Sequence, residues 1–191
     1  MVLVRWDGNG GWLVINLDKT GRLDRDQLFD AIVWLLPKFQ QCRQLNIISW
    51  LANGDPLDFC RFWRSVQPCV LANVTDLEFN VPLPYEHPSE WLLRVPHVCP
   101  RLRFMRTDYV HKSPMTAGEL MDAASEWFWT LGHNQVNVYW WPLARGVHIG
   151  SAMEGLQHLL KVVVREEIGS NLCWLIMSDE EKKFTACLKR C

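Results

Sequence analysis

What most constrains this chain is a short pattern that returns along its length: an apolar residue three positions ahead of an apolar-x-apolar triplet. The copies are Cys42-x-x-Leu45-x-Ile47, Val74-x-x-Leu77-x-Phe79, Cys99-x-x-Leu102-x-Phe104 and, with a polar first position, His133-x-x-Val136-x-Val138. Weaker copies centre on Leu13-x-Ile15 and Trp174-x-Ile176. Successive triplets begin 32, 32, 25, 34 and 38 residues apart. A recurrence on this scale marks stacked supersecondary units, each unable to bury its apolar face alone.

Helix punctuation fills the intervals. Thr116-Ala-Gly-Glu119 predicts a capping box ahead of a helix from Leu120 to Leu131, stopped by Gly132. Ser151-Ala-Met-Glu154 predicts another, carrying Lys161 to Glu167 and ended by Gly169. Asp24 with Gln27, Asp55 before Pro56, and Pro88 to Val95 supply three more. Each unit is expected to be one strand and one helix. That alternation also fits a doubly wound sheet, whose strands are buried on both faces and read as unbroken apolar runs. Here the interior triplets hold Asn46, Glu78, Arg103 and Asn137 at their centres, so one sheet face is expected to be wet.

The fold class expected is therefore α/β: an open leucine-rich-repeat-like solenoid with a mainly parallel sheet, helices on one face and hairpins at both ends. Residues 1–191 are expected to form a single domain, with 1–17 an N-terminal capping hairpin around Asp7-Gly-Asn-Gly-Gly11. Residues 172–191 form a C-terminal hairpin and tail around Asp179-Glu-Glu-Lys182.

The cadence at Leu45, Leu77 and Leu102, the intervening helices and the phrase Cys-Pro-Arg-Leu-Arg-Phe (99–104) resemble a ribonuclease-inhibitor-like leucine-rich-repeat region. In particular they resemble the F-box-associated substrate-recognition regions of nematode-type F-box proteins, without the F-box itself. The resemblance covers roughly residues 12–178. It implies an adaptor or substrate-recognition subunit of a ubiquitin ligase, binding without a ligase-docking device of its own. The asparagine or cysteine typical of such repeats is replaced by Trp50, Pro82, Thr107 and Trp141, so the turns are expected to be built differently.

Strand alternation places Gln44, Asn46, Ile48 and Trp50 on the open face, followed unit by unit by Asp76, Glu78, Asn80 and Pro82, then Arg101, Arg103, Met105 and Thr107, then Gln135, Asn137, Tyr139 and Trp141. Tryptophan, tyrosine and arginine dominate desolvated interface centres. Trp50, Met105, Tyr139 and Trp141 are therefore the expected anchors for a protein partner, with Asp76, Glu78, Arg101 and Arg103 setting its orientation. The bland reading is that adjacent acidic and basic columns pair with each other at little net benefit. Eleven tryptophans invite the same weighing: helical Trp34, Trp63, Trp91, Trp127 and Trp129 are expected mainly in the core, although Trp127 and Trp129 cannot share one helix face.

No catalytic residue, metal ligand or cofactor is expected. His87, His97 and Cys99, Cys60-x8-Cys69 and Cys187-x3-Cys191 match no strong zinc spacing. Gly8-Asn-Gly-Gly11 lacks the lysine of a phosphate loop. Cys42 and Cys99 fall at inward positions, where cysteine behaves as a small apolar residue. A net charge of -1 gives no bulk reason to expect nucleic acid or a membrane surface as partner, and an intracellular setting, cytoplasmic or nuclear, with reduced thiols follows from the odd cysteine count and the absence of a signal-peptide pattern. The expected function is a non-enzymatic protein-protein interaction module, a subunit of a larger complex. The competing reading is a small α/β enzyme with its site in the loops after Trp50, Pro82, Thr107 and Trp141.

Overall fold

A computed structural model describes residues 3–5, 12–16, 25–48, 63–67, 70–80, 91–107 and 114–191. Among these, nine strands form one sheet: β1 (Leu3–Arg5), β2 (Trp12–Asn16), β3 (Gln44–Ile48), β4 (Asp76–Asn80), β5 (Phe104–Thr107), β6 (Gln135–Leu143), β7 (Lys161–Glu166), β8 (Leu172–Ser178) and β9 (Lys183–Arg190). Their spatial order is β1-β2-β3-β4-β5-β6-β9-β8-β7. The run from β2 to β6, and β6 with β9, is parallel. β1 with β2, and β7 with β8 and β9, are antiparallel. The fold is thus α/β with a mainly parallel sheet and a hairpin at each end. From β2 to β6 the order never reverses, so the switch point of a doubly wound sheet is missing from this run.

Among the described residues the helices with both ends placed are α1 (Arg25–Leu35), α2 (Val95–Val98), α3 (Ala117–Thr130) and α4 (Ile149–Ala152). Pro37 turns α1 into a tighter terminal turn, Leu36–Phe39, because its ring cannot continue an α-helix. The expected capping box opens α3: Thr116 Oγ1 accepts from the Glu119 N–H at 3.4 Å, and Glu119 Oε2 accepts from the Thr116 N–H at 2.9 Å. Leu120, Ala123, Ala124, Trp127 and Phe128 recur at helical spacing and are buried.

Strand register shows which residues face that core. The inner row runs Leu45, Leu77, Met105, Val138, Ala186, Leu175 and Val164 across seven strands. All but the partly buried Val164 are fully enclosed. Trp127 edges onto Trp141 at 5.3 Å between ring centroids, and both pack against Phe184. The Trp127 indole N–H donates to the Leu92 carbonyl at 2.8 Å. Trp63 and Trp91 join this core, whereas Trp34 and Trp129 are 64% and 52% exposed, so helical position alone does not bury a tryptophan.

Several expectations are corrected. The triplet at Leu102 is not the counterpart of Leu77: Met105 is, three residues later. Val138, not Val136, continues that row. The true repeat positions Leu13, Leu45, Leu77, Met105 and Val138 are 32, 32, 28 and 33 residues apart, more even than the cadence suggested. The helix expected from Ser151 to Gly169 is only α4 and a short turn at Glu154–Leu156. Lys161-Val-Val-Val-Arg-Glu166 is strand β7 instead, as three consecutive β-branched residues favour. Gly169, at φ 80°, sits in the turn from β7 to β8. Trp174-x-Ile176 belongs to antiparallel β8 and faces outward, while Cys173, Leu175 and Met177 face the core. The helix expected after Asp55 lies outside the described residues. That expected from Pro88 does so in part, with Trp91 and Leu92 helical and α2 following.

Candidate functional site

The other face of the sheet is crossed by two rows. The first reads Gln44, Asp76, Phe104, Asn137, Thr185, Ile176 and Val163. The second reads Asn46, Glu78, Arg106, Tyr139, Cys187, Trp174 and Arg165. Both start polar; from β5 onward Phe104, Ile176 and Val163 in the first and Tyr139, Cys187 and Trp174 in the second stand among Asn137, Thr185, Arg106 and Arg165. On the polar side, Asn46 Nδ2 donates to Glu78 Oε2 at 3.1 Å, and the Thr75 hydroxyl donates to Asp76 Oδ2 at 2.6 Å.

The aromatic side is a connected cluster. Tyr139 lies 5.4 Å from Phe104 and meets Trp174 edge-on at 5.8 Å. Beneath that second pair sits Cys187, between them in the register and 1% exposed. Trp140 adds itself through a β-bulge: the register jumps between Tyr139 and Trp141, and Trp140 has a φ of 66°. The bulge carbonyls of Tyr139 and Trp140 accept from the Thr107 hydroxyl at 3.4 and 3.1 Å. The Arg106 guanidinium stands 4.4 Å over the Trp140 ring, a cation–π contact.

Of the residues expected to bind, Asp76, Glu78 and Tyr139 lie on this face. Met105 and Trp141 do not: both are fully buried on the inner face, Met105 because β5 is displaced by three residues from its expected register, Trp141 because the bulge inserts one residue before it. Thr107, placed on the open face by the same displaced register, is likewise buried. Arg101 and Arg103 precede β5 and are exposed at the strand entries instead of on the face. Trp50, with Pro82, lies outside the described residues.

Phe104, Arg106, Trp140 and Trp174 were not anticipated as site residues. The signal for Trp140 was Pro142, since proline inside a strand is confined to edges, strand starts and bulges, and β6 bulges two residues before it.

A groove of about 620 Å³ at the strand entries is lined by Gln41, Arg43, Asn73, Thr75, Arg101, Arg103 and His133. A neighbouring groove of about 580 Å³ shares Arg103 and His133 and reaches Gln135 and Asn137 of β6. Burial, then Arg103 and Arg101, push the His133 pKa down, and a hydrogen bond with the Arg101 backbone pulls it back in part.

The thiols offer no activated nucleophile among the described residues whose titration is perturbed. Burial pushes Cys99 well up, with Cys42 beside it adding to the shift. Burial also raises Cys173 and Cys187. His97 pairs with Glu126 at 2.8 Å. Among the described residues no three His, Cys, Asp or Glu side chains gather around a metal position, and no helix is long and apolar enough to cross a membrane. The loops that follow β3, β4 and β5, where the enzyme reading places a site, lie outside the described residues.

Compared with models of known protein families, with curated proteins and with solved structures, the chain gives no match.

Proposed function

We propose that this chain is a non-enzymatic protein-interaction module, a leucine-rich-repeat-like solenoid that binds a protein partner on the outer face of its sheet. The observation that carries the reading is the partly exposed aromatic cluster of Phe104, Tyr139, Trp140 and Trp174 with Arg106. These residue types, clustered around one spot and bordered by hydrogen-bonded polar rungs, have the composition of an interface centre with its rim. The solenoid form has its own support. β2 to β6 pair in parallel and step in one direction, the order in which right-handed crossovers of a solenoid share one side of its sheet. The role of an adaptor or substrate-recognition subunit, of the kind found in ubiquitin ligases, rests on the resemblance in cadence and on this aromatic face.

The test is capture of partner from the source cell by the wild-type chain, by Tyr139→Ala/Trp174→Ala and by Gln44→Ala/Asn46→Ala. Losing two hot-spot aromatics should weaken binding by at least about thirtyfold, an energy of about 2 kcal/mol. The polar pair should matter little. Equal capture by all three folded proteins removes the aromatic face from consideration.

A further inference from the structure

The groove at the strand entries is built by the register that builds the sheet. Arg43, Thr75 and Arg103 each stand one residue before a strand. They are tied side by side: the Thr75 N–H donates to the Arg43 carbonyl at 2.7 Å, and the Arg103 N–H to the Thr75 carbonyl at 2.8 Å. Two residues upstream, Gln41, Asn73 and Arg101 form a second row. In it Arg101 Nη1 donates to Asn73 Oδ1 at 3.0 Å, and Asn73 Nδ2 donates to the Gln40 carbonyl at 2.8 Å. His133 closes the β6 side, accepting from Arg103 Nε at 3.5 Å.

The lining thus holds three guanidiniums and no carboxylate. Among the described residues, no acid pairs with Arg43, Arg101 or Arg103. Asp76, next along the chain, has its carboxylate on the Thr75 hydroxyl. Strands are about 4.8 Å apart, so Arg43 and Arg103 flank Thr75 closely enough for both side chains to converge on one small anion.

We infer that this groove is a binding site for a phosphate monoester. Its three terminal oxygens and nearly double charge suit several guanidinium forks at once, whereas a single carboxylate would leave the cluster largely uncompensated. A nucleic-acid strand suits it less well, since binding there grows with the number of phosphates neutralised along a track. This basic cluster is local, bordered on the outer face by Asp76 and Glu78, in a chain of net charge -1. A bound dianion also offsets the repulsion that Arg101 and Arg103 exert on a protonated His133, so binding should raise the pKa of that imidazole. The site does not depend on a protein covering the aromatic face, so the two readings fail separately.

The test uses the full chain with four probes: inorganic phosphate, a blocked phosphoserine tripeptide, ribose 5-phosphate and oligouridylate. Calorimetry reads affinity, and NMR reads the His133 titration. The expected result is millimolar or tighter binding of at least one ester, a rise in the His133 pKa, and a loss of about tenfold or more in Arg103→Gln and in Arg43→Gln. Arg165→Gln, at the far edge of the sheet, should leave binding unchanged. The same Arg103→Gln and Arg43→Gln chains, checked for folding by circular dichroism, keep a loss of binding distinct from a loss of structure. Preference for the tripeptide assigns the site to a phosphorylated side chain, and preference for the sugar phosphate assigns it to a free metabolite. Three outcomes overturn the inference: no binding of any probe, affinity untouched by either arginine substitution, or far tighter binding of oligouridylate with a salt dependence spanning many phosphates.

Discussion

Strand β4 and strand β6 lie two places apart in the same parallel sheet, yet they treat the outer face differently. β4 is regular and presents Asp76 and Glu78, each held by a polar neighbour. β6 presents Asn137 and Tyr139, then breaks its alternation at Trp140, which stacks under Arg106 while Trp141 turns into the core at 0% exposure. Regular alternation after Tyr139 would turn Trp140 inward and Trp141 outward, and one extra residue reverses the two. The comparison teaches that this sheet adds Trp140 to the regularly placed Phe104, Tyr139 and Trp174 where the strand departs from its own rule, and bulges commonly re-aim side chains beside functional sites.

The largest test of that contrast is Trp141→Ala. It removes a ring packed against Trp127 and Phe184, and should cost about 3–5 kcal/mol in chemical denaturation, as large-to-small core changes do. Glu78→Ala on regular β4 should cost less than about 1 kcal/mol. Similar costs for the two would mean that Trp141 is not a core residue and that the bulge is misplaced. Next in size is Thr107→Val, which keeps the shape but deprives the bulge carbonyls of their hydroxyl donor. An expected loss of about 1–3 kcal/mol follows from leaving buried acceptors unpaired. Unchanged stability would show that the bulge needs no support from β5.

Much of this was readable in the chain. β2, β3 and β4 pair in the register that Leu13, Leu45 and Leu77 announce, because regular strands joined at a constant interval need no further information. The capping box of α3 was legible because both partners are local. At β5 two apolar patterns overlap: Leu102-x-Phe104 matches the cadence, but Leu102 is buried before the strand begins and Met105 takes the strand position. Nothing local separates them, since either choice buries a large apolar residue, and the stacking of β5 on β4 decides. The same three-residue slip moved Arg101 and Arg103 from the imagined face to the strand entries and hid Arg106 and Phe104 from notice. At β7, Gly169 and the Ser151-to-Glu154 signal suggested a helix, while Val162-Val-Val164 follows the edge of the antiparallel meander.

The smallest expected effect is also the sharpest on the bulge itself. Trp140 holds a left-handed backbone at φ 66°, which costs a residue with a Cβ about 1–2 kcal/mol and glycine almost nothing. Trp140→Gly loses the contact with Arg106, worth about 0.5–1 kcal/mol at a partly exposed site, and adds freedom to the unfolded chain, but it relieves that strain. The terms oppose, so its stability should stay within about 1 kcal/mol of wild type. Trp140→Ala loses the same contact and keeps the strain, so it should be the less stable of the two by about 1 kcal/mol. Partner capture should fall in both, because both remove the same ring from the outer face. An alanine variant at least as stable as the glycine variant would mean that residue 140 is not held left-handed, and the contrast between β4 and β6 would lose its structural cause.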